Sequence, residues 1–150
     1  MKFLCDQMLG TLAKWLRILG FDTYFANDKI TDDEILDISK KENRTLVTRD
    51  KELIIRAKKR RLDFIKINST NLEIQLKQFL TKNKIDKNLF LTRCLICNSL
   101  VTKIKKEDVK NKVPKRVFEN NDKFFYCKKC DKIYWMGTHT ENMIEKIKKL

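Results

Sequence analysis

The run Lys2-Phe-Leu-Cys-Asp6, then Leu9, Leu12, Ala13, Leu16 and Leu19, closed by Gly20, decides how this chain is read. Three apolar residues that stop at an acid describe a short buried strand. Apolar residues three and four apart describe a helix, and a glycine after the last of them suits its C-terminus. The same strand and helix pattern recurs downstream. Thr23 to Ala26 reads as a second strand, and Thr31-Asp-Asp-Glu34 opens a second helix with Ile35, Leu36 and Ile38 on its inner face. Arg44 to Thr48 is a third strand, Asp50 to Lys59 a third helix, Asp63 to Ile67 a fourth strand and Leu72 to Leu80 a fourth helix. Alternation at this spacing implies right-handed crossovers and an α/β fold, with a mainly parallel sheet covered by helices on both faces. Such sheets bind ligands beyond the carboxyl ends of their strands.

The second half carries Cys94-Leu-Ile-Cys97 and Cys127-Lys-Lys-Cys130, with 29 residues between the pairs. Each C-x-x-C turn presents two thiolates to one metal, and two turns complete a tetrahedral shell, so the pattern reads as a structural zinc ribbon. Disulfides are the first alternative, but a Lys-rich chain without a secretion signal points to a reducing compartment. A thioredoxin-like redox pair is the second, yet such a motif normally follows a strand and occurs once. Cys5, inside an apolar run, reads as a small buried side chain. Residues 84 to 92 read as the connection, which divides the chain into a body over 1–88 and a four-cysteine module over 89–150. Phe124 to Tyr126 and Ile133 to Trp135 are expected as ribbon strands, and a helix from about Glu141 to Leu150 as the end of the module.

The 150 residues are 42% hydrophobic, with nine Phe and two Trp, which suffices for one core and a small metal-dependent module. No apolar run approaches the ~18 residues of a membrane span, and Asp6 interrupts the first apolar stretch. The expectation is a cytoplasmic protein without a membrane partner. Net charge is +14, and residues beyond 90 hold 15 basic against 7 acidic side chains. A polyanion is the natural partner, since cations facing phosphates gain by releasing counterions. Charge alone does not tell RNA from DNA, and a Lys-rich, heat-adapted surface would raise the same total. Clustering says more. Arg56, Lys58, Lys59, Arg60 and Arg61 close the third helix, where its dipole also favours cations, and Lys103, Lys105 and Lys106 begin a basic stretch between the cysteine pairs.

Asp6 ends the first strand, Asp50 follows the third, and Asp32 and Asp33 begin the helix before the third. At one sheet edge such carboxylates repel one another unless a divalent cation neutralises them, so the set suits magnesium or manganese. Each acid also sits where helices favour acids: Asp6 and Asp50 are good N-caps, and Thr31 with Glu34 fits a capping box.

Phe3-Leu-Cys-Asp6-Gln-Met-Leu-Gly10, Leu12-Ala-Lys-Trp-Leu-Arg17, Leu46-Val-Thr-Arg-Asp50-Lys-Glu-Leu53, Arg93-Cys94, Cys97-Asn98, Val113-Pro114 and Tyr134-Trp135-x-Gly137-Thr138-His139 together resemble the RNase family named after the C-terminal domain of the Mut-seven exonuclease. The resemblance covers nearly the whole chain. It implies a PIN-like three-layer α/β/α nuclease fused to a zinc ribbon, which cleaves RNA, by analogy as an endonuclease, at an acidic magnesium or manganese site. Asp6 then takes the place of the first PIN aspartate, Asp50 a later one and Asp33 the acid between them, with Asp32 behind it. Where a further acid is usual, Asn68, Ser69 and Thr70 follow Ile67, which departs from a tight two-metal pattern. Thr48 and Asn68 would complete the shell, while Arg49 and residues 56 to 61 would hold the RNA backbone. The competing readings are a non-catalytic RNA-binding module associated with ribosome or tRNA, and a toxin-like nuclease restrained by a partner.

Overall fold

The computed structural model describes residues 1–149. Its first half is a four-stranded parallel sheet made of β1 (Lys2–Cys5), β2 (Asp22–Phe25), β3 (Thr45–Thr48) and β4 (Phe64–Lys66), in the order β2-β1-β3-β4. Phe3, Leu4 and Cys5 are wholly buried because β1 is a central strand covered on both sides. Phe3, Cys5 and Val47 face α1 (Gly10–Ile18) and α4 (Leu72–Leu80), meeting Leu12, Leu16, Leu76 and Phe79. Leu4 and Leu46 face α2 (Asp32–Lys41) and α3 (Lys51–Lys59), meeting Ile35, Leu36, Leu53 and Ala57. The two clusters make three layers, helices on both sides of one sheet. Phe3, Phe21 and Phe79 pack edge-on with centroids 4.8 to 5.7 Å apart, a contact worth about 0.5–1.5 kcal/mol per pair beyond its area.

α2 and α3 begin at the expected caps Thr31 and Asp50, α4 begins at Asn71, which the sequence reading did not single out, and Asp6 caps a 3-10 turn rather than α1 itself. The Thr31 hydroxyl accepts from Glu34 N at 3.2 Å and Asn71 Oδ1 from Ile74 N at 3.1 Å. A single 3-10 turn over Gln7–Leu9 joins β1 to α1. The chain leaves α1 through Gly20 at φ +94°, where an added Cβ would lie 2.3 Å from the Leu89 carbonyl oxygen. Only glycine fits there, because the connection into the second half crosses directly over it.

That second half holds a three-stranded antiparallel sheet, β5 (Thr102–Ile104), β6 (Phe124–Cys127) and β7 (Lys132–Tyr134), in that order. Two short helices, α5 (Lys106–Val109) and α6 (Lys115–Asn120), lie between β5 and β6. The last helix, α7 (Thr138–Lys148), starts three residues before the expected Glu141, and its expected last residue, Leu150, lies outside the described residues. Ile144 and Ile147 of α7 join the core cluster of Phe3 and Leu12, so the chain's last helix completes the body built by its first half. Among the described residues no helix is long and apolar enough to cross a membrane.

The two halves are joined by polar bonds at the outer strand β2. The Arg17 guanidinium, buried on α1, donates to the carbonyls of Thr23 at 2.9 Å, Leu95 at 2.9 Å and Ile96 at 3.2 Å. Asn98 Oδ1 accepts from Thr23 N at 3.0 Å, while its Nδ2 donates to Asp22 Oδ1 at 2.7 Å. Arg44 pairs with the same carboxylate at 2.9 Å and Arg93 at 3.7 Å. Burial pushes the Asp22 carboxyl up, but the bonds from Asn98 and Arg44 outweigh it and hold the group below its ordinary range.

Candidate functional site

β1 and β3 are neighbours, yet the chain leaves β1 towards β2 on one side and returns to β3 on the other. The crevice beyond their carboxyl ends is the switch point of the sheet, where open α/β folds bind ligands. Asp6 ends β1 there, and Asp50 follows β3. Asp6 is only 4% exposed. Its Oδ1 accepts from Met8 N at 3.1 Å, capping the 3-10 turn, and its Oδ2 accepts from the Thr48 hydroxyl. The same hydroxyl accepts from Asp50 N at 3.0 Å, which fixes its proton towards Asp6. Asp50 Oδ1 accepts from Glu52 N at 2.9 Å and Leu53 N at 3.2 Å, capping α3. One threonine thus ties the two carboxylate-bearing turns together.

Burial pushes the Asp6 carboxyl above its ordinary pKa, and the negative charges of Asp50 and Asp32 push the same way, while the bonds from Thr48 and Met8 oppose them. The structure separates the two acids that open α2. Asp32 is half-buried and acts on Asp6, whereas Asp33 is exposed and ion-paired to Arg56 and, at 3.5 Å, to Arg60. Arg56 also reaches Asp32 at 3.4 Å, and Arg60 reaches Asp37 at 2.8 Å. Two of the five cations that close α3 are therefore bound to α2. Lys58 lies 5.6 Å over the Phe64 ring, and Lys59 and Arg61 are exposed. Arg49, between Thr48 and Asp50, keeps a buried Nε without a hydrogen-bond partner among the described residues. Asn68 is exposed, its backbone N–H donating to Gln78, and Glu34 completes the capping box of α2.

The second candidate site is formed by Cys94, Cys97, Cys127 and Cys130, whose sulfurs all lie within 4.8 Å of one another. Among the described residues this is the one set of three or more His, Cys, Asp or Glu side chains gathered so closely. Cys97 and Cys127 are 3.6 Å apart, too far for a disulfide, whereas four thiolates about 2.3 Å from one zinc stand about 3.8 Å from each other. Both turns use left-handed residues, Asn98 at φ +67° and Asp131 at φ +51°. Ile96 N donates to Cys94 Sγ at 3.4 Å, and the Tyr134 hydroxyl lies 3.0 Å from the same sulfur. Burial pushes the Cys97 thiol up, but bonds from Ser99 and the neighbouring sulfurs bring it down to about 6, while burial and the same shared contacts push Cys127 and Cys130 up. His139 stands outside the group at the start of α7, its ring 6.0 Å from that of Trp15.

Arg17 and Asn98 are the residues whose role the sequence does not reveal, since the partners by which each joins the two halves lie more than seventy residues away. Of the basic stretch between the cysteine pairs, Lys103 and Lys105 are exposed, while Lys106 reaches Asp122 at 3.2 Å and lies 5.0 Å over Phe118.

The chain matches the model of the Mut7-C RNAse domain over residues 1–147. It belongs to that family. Membership implies a ribonuclease, and RNA as the substrate of this Mut7-C domain. No curated protein and no solved structure matches the chain.

Proposed function

We propose that this Mut7-C domain hydrolyses RNA phosphodiesters internally at the switch point between β1 and β3. Asp6, Asp50 and Asp32 hold a magnesium or manganese ion within a PIN-like body, and a zinc ribbon ligated by Cys94, Cys97, Cys127 and Cys130 forms the C-terminal part. The observation that carries this reading is the buried Asp6 carboxylate, held by the Thr48 hydroxyl that also accepts from Asp50 N, so that both acidic turns close on one threonine at the switch point. That arrangement costs stability unless a cation neutralises it, and an open set of acids suits an ion that keeps several waters.

A divalent ion bound there supplies charge neutralisation at the phosphate and lowers the pKa of water. Thr48 orients Asp6, and the α3 amides hold Oδ1 of Asp50, leaving its other oxygen as the donor to the ion. The orphaned Arg49 Nε meets a phosphate oxygen. Asp33, engaged by Arg56 and Arg60, steers those arginines rather than the ion, and Lys58, Lys59, Arg61, Lys103 and Lys105 supply the longer-range attraction for RNA.

The test is cleavage of a circular single-stranded RNA by zinc-loaded protein with manganese, magnesium or neither, alongside Asp6→Asn and Asp50→Asn. Linear product that needs the added ion, and disappears in both variants at unchanged zinc content, is expected. Salt-sensitive RNA binding without cleavage under any ion would refute the reading in favour of a binding module of the ribosome-associated or tRNA-associated kind.

A further inference from the structure

The two faces of the three-stranded sheet are unlike. Phe125 and Tyr134, paired across β6 and β7, lie on the face towards the body: Phe125 packs on the main core and Tyr134 is bonded to Cys94. The opposite face carries Tyr126 paired with Ile133, together with Ile104. With Trp135 these residues line a groove of about 710 Å³, whose other wall is Lys112-Val113-Pro114 and whose rim holds Lys132. The acid on that rim, Asp131, already accepts from the Tyr126 hydroxyl at 2.8 Å. Trp135 also lines a second depression, of about 290 Å³, shared with Arg116 and Glu141. A half-buried indole therefore stands between two hollows, with lysines at one and an arginine at the other.

We propose that this groove is a subsite for the unpaired bases of single-stranded RNA. Trp135 and Tyr126 form the stacking surface, and Lys112, Lys132 and Arg116 contact the flanking phosphates. The inference rests on the reading of RNA as substrate. Aromatic faces accept any base, whereas paired bases in a duplex expose too little of their rings to stack on a recessed indole. Charge favours a nucleic acid over a peptide, since the chain beyond residue 90 holds 15 basic against 7 acidic side chains.

The experiment uses full-length, zinc-loaded Trp15→Phe/Asp50→Asn protein, in which Trp135 is the sole indole and turnover is suppressed. It is titrated with a twelve-nucleotide oligouridylate, with a duplex of the same length and with inorganic phosphate. Quenching of the indole emission by the single strand alone is expected, with affinity about tenfold or more weaker in Trp135→Leu. In Lys112→Ser/Lys132→Ser, which leaves the aromatic surface intact, the slope of log affinity against log salt is expected to fall by roughly 1.4, at about 0.7 per lost phosphate contact. No quenching, together with unchanged affinity in both variants at full zinc content, overturns the proposal. If protein with Asp50 intact cleaves RNA with the same KM whether or not Trp135 is replaced, the groove falls and the nuclease reading stands. Trp135-dependent binding by a protein that never cleaves has the reverse meaning.

Discussion

Asn98→Ala should be among the most damaging single changes outside the apolar core, and its cost can be built from the structure. The Thr23 N–H that Asn98 accepts is on a wholly buried residue, so losing its partner costs about 1–3 kcal/mol. Asp22 loses its 2.7 Å bond from Nδ2 but keeps Arg44 and Arg93, which limits that loss to about 1 kcal/mol. Alanine at φ +67° adds about 1 kcal/mol of backbone strain. The sum is about 3–5 kcal/mol, a fall in Tm on the order of 10 °C for a chain of this size. Asn98→Gly removes the same bonds without the strain and should be about 1 kcal/mol milder. Urea unfolding at saturating zinc measures both. A loss under about 1 kcal/mol for Asn98→Ala would show that the bonds across the junction are not formed in solution. Equal losses for the two variants would refute the strain argument.

Further outcomes follow from other residues. The folded-state pKa of Asp6 lies above its unfolded value, so the folded chain binds this proton more tightly; the stability it contributes is fully present below the ordinary Asp value and is lost as pH rises through the folded one. Without divalent ions, Asp6→Asn should therefore gain stability over the parent as pH rises through that window and then level off, while still capping its turn; calorimetry showing a lower Tm at neutral pH would contradict this. Gly20→Ala should cost about 3 kcal/mol or more, from strain and collision with Leu89, and a Tm within a few degrees of the parent would contradict the crossing seen there. Arg17→Met should cost about 2–4 kcal/mol by leaving three carbonyls without their shared donor, read as an earlier urea midpoint at unchanged zinc content. Cys97→Ser should abolish stoichiometric zinc, measured by dye after thiol modification, and weaken the second half far more than the parallel sheet.

Local signals carried the first half of the fold. Apolar spacing marked every strand and helix of the parallel sheet because each element buries a regular face, and Thr31, Asp50 and Asn71 cap helices by bonds to their own neighbours. Between the cysteine pairs those signals fail. β5, α5 and α6 are three to six residues long, too short for a period to repeat, and their form depends on packing around the cysteine turns. At the acidic site, spacing brought Asp6, Asp32, Asp33 and Asp50 to one edge but did not separate Asp32 from Asp33. Adjacent helix positions point about 100° apart, and only the docking of α2 on α3 shows that Arg56 reaches both acids while, of the two, Asp33 alone is also held by Arg60. The same docking pairs Arg56 and Arg60 with α2, where sequence alone presents five free cations.

Asn98 has a consequence beyond stability. β2 is an outer strand of the parallel sheet, with main-chain groups that could template pairing with another chain, and natural sheets cover or blunt such margins. Here the cover is a side chain from the turn that carries Cys94 and Cys97. Disorder of that turn would uncover β2 as well as loosening the second half, leaving a sheet margin open to domain swapping and aggregation. Metal-starved chains would then be lost first to self-association, a quality-control burden arising from the same residue that shapes the cysteine turn.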